Sequence, residues 1–320
     1  MVDILMAALG LVILLLAGDS LVKGAVNLAL RVGVPALLVS LTIVAFGTSA
    51  PELLISIAAI KDDAAGLALG NVVGSNTANI LLVLGIPALL AGLDTEGCDT
   101  RKTYVMMIVA SIGFIALAFF GPFTWWHGIL LLAGLSIVLG DTFRDARAHR
   151  REAASGENGI DLDGVDETMP GWKVTIYLVL GLIGLPLGAD ILVDSAISIA
   201  ESLGVADTVI GLTLVAIGTS LPELATTVMA ALRRQADVAL GNVIGSNMFN
   251  LLAIIGISSF VGPIPVDPMF LRFDLWVMLG ASVLLAPFVF WHWRIGRAWG
   301  IALTGAYIAY LGVVTVGAGG

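Results

Sequence analysis

Charged residues and cysteine are both scarce in this chain of 320 residues. Only 12% of the residues are charged and a single one is cysteine, while 58% are hydrophobic. Soluble domains carry about a quarter charged residues, so this chain has too few to cover its apolar surface in water. The lone Cys98 has no second cysteine with which to form an intrachain disulfide. The composition therefore indicates an integral membrane protein.

The features of nucleic-acid-binding proteins and of several enzyme classes are also missing. The formal net charge is −9, which argues against a basic nucleic-acid surface. Neither an H-E-x-x-H nor a G-x-S-x-G motif occurs, and no nucleophile is paired with a base. The three histidines, at positions 127, 149 and 292, fall at the ends of apolar runs or in the polar middle of the chain. We therefore expect no enzyme and no cofactor.

Apolar runs of about 17 to 25 residues are long enough to cross a bilayer as helices. The sequence predicts ten, at 2–29, 35–60, 64–92, 103–120, 123–141, 172–200, 206–232, 236–260, 271–290 and 298–317. The first run lacks the basic flank and clean cleavage site of a signal peptide, so we interpret it as a retained helix. The polar connection 143–170 does not have the spacing of an EF-hand loop, and we interpret it as a flexible linker.

The two halves of the chain repeat each other at an offset of 171 residues. Leu41–Leu53 and Leu212–Leu224 share ten of thirteen residues, and Leu69–Asn76 and Leu240–Asn247 share seven of eight. Each half contains five predicted spans, and an odd number makes the second half cross the membrane in the opposite direction. The predicted architecture is all-α, with residues 1–141 and 172–320 as inverted five-helix repeats and 142–171 as a cytoplasmic acidic linker.

The basic residues predict the orientation of these helices. With the N-terminus outside, twelve of them fall in cytoplasmic loops, two fall in the opposite loops, Lys61 and Arg272, and Lys23 lies within the first span. Cytoplasmic loops of membrane proteins are enriched in Lys and Arg. We therefore predict a multi-pass protein of the plasma membrane with both termini extracytoplasmic.

The motif G-T-S-x-P-E occurs at 47–52 and again at 218–223, each time inside an apolar run. The carboxylates of Glu52 and Glu223 are costly there unless they are paired, hydrated or coordinated to a cation. The proline before each glutamate breaks the helix, and freed carbonyls at membrane depth are tolerated only where they line a cavity or bind an ion. Carboxylate, hydroxyl and carbonyl oxygens together suit Ca²⁺ or Na⁺.

A second motif, G-N-x-x-G-S-N, occurs at 70–76 and 241–247. Ser75 and Asn79 are four residues apart and share a helix face, as do Ser246 and Asn250. Small and polar residues also serve helix packing alone, and a single motif would leave that interpretation open. Its duplication beside two intramembrane glutamates favours a cation site.

On these residues the chain resembles the cation/calcium exchanger superfamily, the sodium/calcium exchangers and their relatives, over essentially its whole length. The resemblance implies that the repeats face each other at the bilayer midplane, bind Ca²⁺ and Na⁺ alternately, and move by sliding of the first helix of each half. It also implies a ligand set of carboxylates, hydroxyls, amides and backbone carbonyls: Glu52, Glu223, Thr48, Ser49, Thr219, Ser220, Ser75, Ser246, Asn79, Asn250, Ala45 and Ala216.

One departure from the family bears on the stoichiometry. Some prokaryotic sodium/calcium exchangers carry Asp where this chain has Asn250. Two carboxylates balance one Ca²⁺ or two Na⁺, so a third Na⁺ would need neutral oxygens.

The expected function is secondary exchange of Ca²⁺ for Na⁺ by alternating access. A Ca²⁺/H⁺ or K⁺-dependent antiporter is the alternative, because protonation of a glutamate would also neutralise the site. A channel is less favoured, since filters usually come from symmetric rings of subunits. The expected partners are Ca²⁺, a monovalent counter-ion and the bilayer, with no nucleic acid and no obligate protein partner.

Four further charges lie in the first predicted helix of each half: Asp19, Lys23, Asp190 and Asp194. Lys23 can reach Asp19, four residues away, or extend to the membrane surface. Asp194 occupies the repeat position of Lys23, so the repeat symmetry breaks there. We interpret these residues as structural pairs or surface groups, with a cation or proton path as the second interpretation.

Overall fold

A computed structural model describes residues 2–155, 169–203 and 216–318, and this part of the chain is all-helical. Two isolated β-bridges, Leu93–Ile295 and Phe123–Ile264, join connections within it. In chain order the helices are α1 (Val2–Val32), α2 (Ala36–Lys61), α3 (Ala65–Leu90), α4 (Arg101–Ala118), α5 (Trp125–Ser155), α6 (Gly171–Ser202), α7 (Leu221–Leu232), α8 (Ala236–Ser258), α9 (Phe270–Phe290) and α10 (Arg297–Ala318).

The prediction of an all-helical membrane protein is confirmed. Nine of these helices are long and apolar enough, within the described ranges, to cross a membrane, and each begins within two residues of a predicted span. The tenth predicted span, 206–232, corresponds to the shorter apolar helix α7 and the turn Ala216–Gly218 before it. The first ten residues of that span lie outside the described residues.

Helix α5 is longer than the sequence predicted. It continues past position 141 to Ser155, so the first part of the predicted flexible linker is helical. Lys102 of α4 binds Asp141 at 2.6 Å and Asp145 at 2.7 Å, and the following Ala, Arg and Glu residues are good helix formers. Positions 156–168, which include the acidic residues from 157 to 167, lie outside the described residues.

Helices α3 and α8 form the centre of the molecule. Within an apolar stretch of 18 residues in each helix, all residues of α8 and 83% of those of α3 are buried. Glycine allows α8 to touch the backbone of α2, because a Cβ at Gly245 would lie 2.5 Å from the Leu41 carbonyl oxygen. At Gly241 a Cβ would lie 2.8 Å from the Leu37 oxygen. The second motif thus has a packing role as well.

Helices α1 and α6 form an antiparallel pair at the edge, with only 28% and 22% of their apolar windows buried. Glycines at the contact bring the two backbones together. A Cβ at Gly10 would lie 2.7 Å from the Leu192 nitrogen, and one at Gly188 would lie 2.8 Å from the Leu14 nitrogen. The two helices therefore pack as one unit along their length.

The charges of α1 are paired in the structure. Asp19 binds Lys23 at 2.9 Å and also binds Arg233, which follows α7. The prediction that Lys23 can reach Asp19 agrees with this contact. The bond to Arg233 ties α1 to the end of α7.

Candidate cation site

Two helices break next to the G-T-S-x-P-E motifs. Ser49 (φ −86°, ψ 3°) interrupts α2, and Ser220 (φ −90°, ψ 5°) precedes α7. Pro51 and Pro222 stand in the first turn of the helix that follows, where a proline needs no N–H partner. The sequence predicted these breaks. Each places its glutamate in a helical first turn, where the helix dipole favours negative charge.

The two glutamates are buried almost completely, with 1% of Glu52 and 0% of Glu223 exposed. Ser49 Oγ donates a hydrogen bond to Glu223 Oε1 at 3.2 Å, which links the two repeats. The carboxylates of Glu52 and Glu223 are close enough to repel each other. Oε2 of each glutamate has no hydrogen-bond partner in the described part of the chain. Buried carboxylates in such surroundings need a cation or a proton.

Hydroxyl groups of both halves meet beside these carboxylates. Thr48 Oγ1 lies 3.3 Å from the Ala45 carbonyl oxygen, 3.3 Å from Asn242 Oδ1 and 3.5 Å from Ser246 Oγ. Thr48 belongs to the first motif of one half, with Ala45 two residues before that motif, and Ser246 belongs to the second motif of the other half. The structure therefore brings Thr48, Ser49, Glu223 and Ser246 into one cluster of oxygen atoms.

Four of the remaining predicted ligands are buried in the structure. Ser75, Asn79, Ser220 and Asn250 are all buried, and Asn79 Nδ2 donates to Asn247 Oδ1 at 3.0 Å. Ser220 Oγ and both polar side-chain atoms of Asn250 have no partner among the residues that the structure covers.

The last two predicted ligands are Thr219 and Ala216. Thr219 is half-buried. Ala216 begins the short helical turn Ala216–Gly218, immediately after the part of the chain that is not described.

A pair of asparagines that the ligand prediction did not include supports the two broken helices. Asn71 Nδ2 donates to the Glu52 carbonyl oxygen at 3.3 Å and lies 3.3 Å from Ser56 Oγ. The repeat-related Asn242 donates to the Glu223 carbonyl oxygen at 3.4 Å and to Thr227 Oγ1 at 3.2 Å. Their identity at the repeat offset is the sequence signal for this role. Each asparagine fixes the first turn that carries a glutamate.

Asp190 and Asp194 are exposed on α6. They line a cavity of about 120 Å³ together with Pro51, Thr219 and Pro222. The cavity therefore borders both helix breaks. The repeat-related positions on α1 hold the Asp19–Lys23 pair instead.

The oxygen atoms of the two motifs are ligands that suit a hard cation. No group of three or more His, Cys, Asp or Glu side chains that could hold a metal occurs in the described ranges. A cation between the motifs would be bound by two carboxylates and by neutral hydroxyl, amide and carbonyl oxygens. Such mixed oxygen ligands suit Ca²⁺ and Na⁺ and not the softer transition metals.

A multi-pass helical protein in which broken helices meet at a buried polar site has the architecture of a secondary transporter. The chain belongs to the sodium/calcium exchanger protein family, whose model matches residues 2–139 and 173–316.

Several relatives match nearly the full length of the chain. It is 36% identical to the sodium/calcium exchanger MaX1 of Methanosarcina acetivorans, with 98% of each chain covered. It is also 36% identical to the putative antiporter CaxA of Alkalimonas amylolytica, over 94% of this chain and 95% of that one. The solved structure of the sodium-calcium exchanger NCX_Mj, soaked with zero Na⁺ and Ca²⁺, has a TM-score of 0.80 and 32% identity, with 98% of each chain covered.

Proposed function

We propose that this protein is a secondary antiporter that exchanges Ca²⁺ for Na⁺ across the cell membrane by alternating access. The observation that carries this proposal is the pair of fully buried glutamates, each with an oxygen atom that has no partner among the described residues. Membership in the exchanger family and the printed names of the relatives support the choice of Ca²⁺ and Na⁺.

The proposed ligands are the oxygens of the two repeated motifs. Glu52 and Glu223 supply two negative charges, which neutralise one Ca²⁺ or two Na⁺. Ca²⁺ takes about six to eight oxygens, so the neutral groups complete its shell. These are the side chains of Thr48, Ser49, Thr219, Ser220, Ser75, Ser246, Asn79 and Asn250 and the carbonyls of Ala45 and Ala216.

Charge balance explains why exchange is coupled. Moving two uncompensated carboxylates through apolar surroundings is costly, so the protein changes conformation only when a cation neutralises the site. Ca²⁺ and Na⁺ compete for the same two carboxylates and are carried in separate steps. The close pairing of α1 and α6 supports a movement in which these helices shift together against the other eight.

The proposed organisation is two inverted repeats, 1–141 and 172–320, joined by the cytoplasmic segment 142–171. The distribution of basic residues supports a cytoplasmic position for this segment and extracytoplasmic positions for both termini. Ca²⁺, the counter-ion and the bilayer are the proposed partners.

Uptake of ⁴⁵Ca²⁺ into proteoliposomes tests the function. An outward Na⁺ gradient is expected to drive uptake, and an outward H⁺ gradient at equal Na⁺ is expected not to. Uptake driven by the H⁺ gradient alone would assign the protein to Ca²⁺/H⁺ exchange, and a requirement for K⁺ would add a co-transported ion. Uptake without any counter-ion would contradict antiport and favour a channel.

A further inference from the structure

Four asparagines lie on α3 and α8, the helices at the centre of the molecule. They form two repeat-related pairs, because Asn76 corresponds to Asn247 and Asn79 corresponds to Asn250. All four are buried, with at most 1% of any residue exposed. Asn79 and Asn250 are proposed ligands, whereas Asn76 and Asn247 have no role so far.

Hydrogen bonds fix the orientation of three of these amides. Asn76 Nδ2 donates to the backbone oxygen of Asn247 at 3.1 Å, and Asn247 Nδ2 donates to that of Asn76 at 3.4 Å. A backbone oxygen only accepts, so these two bonds identify the nitrogen of each side chain. Asn247 Oδ1 is then free to accept Asn79 Nδ2 at 3.0 Å. As a result, Asn79 turns its Oδ1 away from Asn247.

The equivalent contact in the other half is not formed. By the repeat it would join Asn250 Nδ2 to Asn76 Oδ1, and neither atom has a partner in the described part of the chain. Asn250 Oδ1 has none either. Buried polar atoms without partners are rare in native proteins. Here the two unpaired atoms are one donor and one acceptor, at positions where the repeat provides a bond.

We propose that Asn247 and Asn76 are positioning residues that act in turn. In the conformation described here, Asn247 holds the nitrogen of Asn79 and leaves its oxygen for the cation. In the opposite conformation Asn76 holds Asn250 in the same way, and the Asn79–Asn247 bond opens. Inverted repeats provide for this, because both halves carry the same residues and access alternates around the site between them. The proposal rests on the proposed exchange function, since an amide oxygen matters here only as a cation ligand.

Measurements on each face of the membrane test the alternation. Half-saturating Ca²⁺ is determined separately in right-side-out and inside-out vesicles for Asn247→Ala and Asn76→Ala. Loss of a group that orients a metal ligand lowers affinity by about 10-fold or more. We expect Asn247→Ala to raise half-saturating Ca²⁺ at one face and Asn76→Ala to raise it at the opposite face. Equal changes at both faces for both variants would overturn the alternation.

A double-mutant cycle separates positioning from a purely structural role. If Asn247 acts through Asn79, the variant that combines Asn247→Ala with Asn79→Ala has the same half-saturating Ca²⁺ as Asn79→Ala alone. Effects that simply add would contradict the positioning role. Asn27→Ala is the matched control, because Asn27 is also buried and its side chain donates to the Lys23 carbonyl oxygen of its own helix.

Isosteric variants keep the test decisive if Asn247→Ala does not fold. Asn79→Asp and Asn250→Asp each add one charge and remove one N–H donor, but only the donor of Asn79 makes a hydrogen bond in this conformation. We expect each variant to change half-saturating Ca²⁺ more at one face than at the other, and the more affected face to differ between the two variants. The same changes at both faces for both variants would overturn the proposal. Failure of the parent protein to exchange Ca²⁺ would contradict the function itself. If the parent exchanges Ca²⁺ and the asparagine variants have the same half-saturating Ca²⁺ as the parent, only this inference is rejected.

Discussion

The central helices α3 and α8 and the peripheral helices α1 and α6 use different means of packing. Amide and hydroxyl groups bond across the centre, from Asn76 to Asn247 and from Thr48 to Asn242. The α1–α6 contact instead depends on glycines such as Gly10 and Gly188. Directional hydrogen bonds determine which polar atoms face the site, whereas small residues allow two helices to pair closely without polar groups. The comparison indicates an ion-binding centre organised by directional contacts beside a closely paired edge.

Loss of a central carboxylate is expected to have the largest effect. Glu52→Gln and Glu223→Gln keep the side-chain shape but remove one of two charges, so Ca²⁺ affinity should fall about 100-fold, or about 3 kcal/mol. The thermal midpoint of the purified protein should change little. ⁴⁵Ca²⁺ exchange and thermal unfolding of the same preparations provide the measurement.

Asp274→Asn is the matched control for these variants. Asp274 is also a buried carboxylate within an apolar helix, but it belongs to neither motif and accepts a hydrogen bond from Tyr310 at 3.0 Å. An amide oxygen can still accept that bond, so exchange should continue. A loss of exchange in Asp274→Asn equal to that in Glu52→Gln would remove the distinction between the centre and the rest of the molecule.

A change in the glycine contact is expected to affect stability more than ion binding. Gly188→Ala places a Cβ 2.8 Å from the Leu14 nitrogen, so the two helices must separate. We expect the free energy of unfolding to fall by about 1–3 kcal/mol. Gly113→Ala is the control, since no described heavy atom lies within 4 Å of the added Cβ. Equal thermal midpoints for the two variants would contradict the close pairing of α1 and α6.

The sequence predicted the intramembrane glutamates and the helix breaks but not the residues that support them. The repeat located Glu52, Glu223 and the helix breaks, because a proline and a carboxylate in an apolar run each have strong local consequences. It did not identify Asn71 or Asn247 as supporting residues, since their partners are backbone oxygens that only the fold brings near. The helical continuation of α5 to Ser155 also depends on a tertiary contact, from Lys102 to Asp141.

The ion pair between α1 and the end of α7 is expected to have a smaller effect. Asp19 and Arg233 are only partly buried, with 20% and 33% of their side chains exposed, and such pairs contribute up to about 1 kcal/mol. Asp19→Asn, Arg233→Gln and the double variant form a cycle in which the exchange rate and thermal midpoint are measured. We expect changes of a few-fold at most and no loss of Ca²⁺ binding. A loss as large as in Glu52→Gln would place this pair in the ion path.

Cysteine labelling tests the orientation of the chain in the membrane, without altering the site. Burial, reinforced by the nearby Asp237, raises the pKa of the Cys98 thiol, so this native cysteine is a poor target for maleimide. In intact cells, Asp62→Cys should react with an impermeant maleimide and Glu157→Cys should not. Labelling at position 157 but not at 62 would contradict the proposed orientation.

Equilibrium binding of ⁴⁵Ca²⁺ to the purified protein tests the central claim most directly. Ca²⁺ is titrated at several fixed Na⁺ concentrations in the parent and in Glu223→Gln, with choline replacing Na⁺ to keep ionic strength constant. Na⁺ is expected to raise the apparent Kd for Ca²⁺ without reducing the number of sites, and Glu223→Gln is expected to weaken Ca²⁺ binding about 100-fold and to lose its Na⁺ sensitivity. Na⁺ that leaves the Kd unchanged, or Glu223→Gln that binds Ca²⁺ like the parent, would contradict a shared site at the two glutamates.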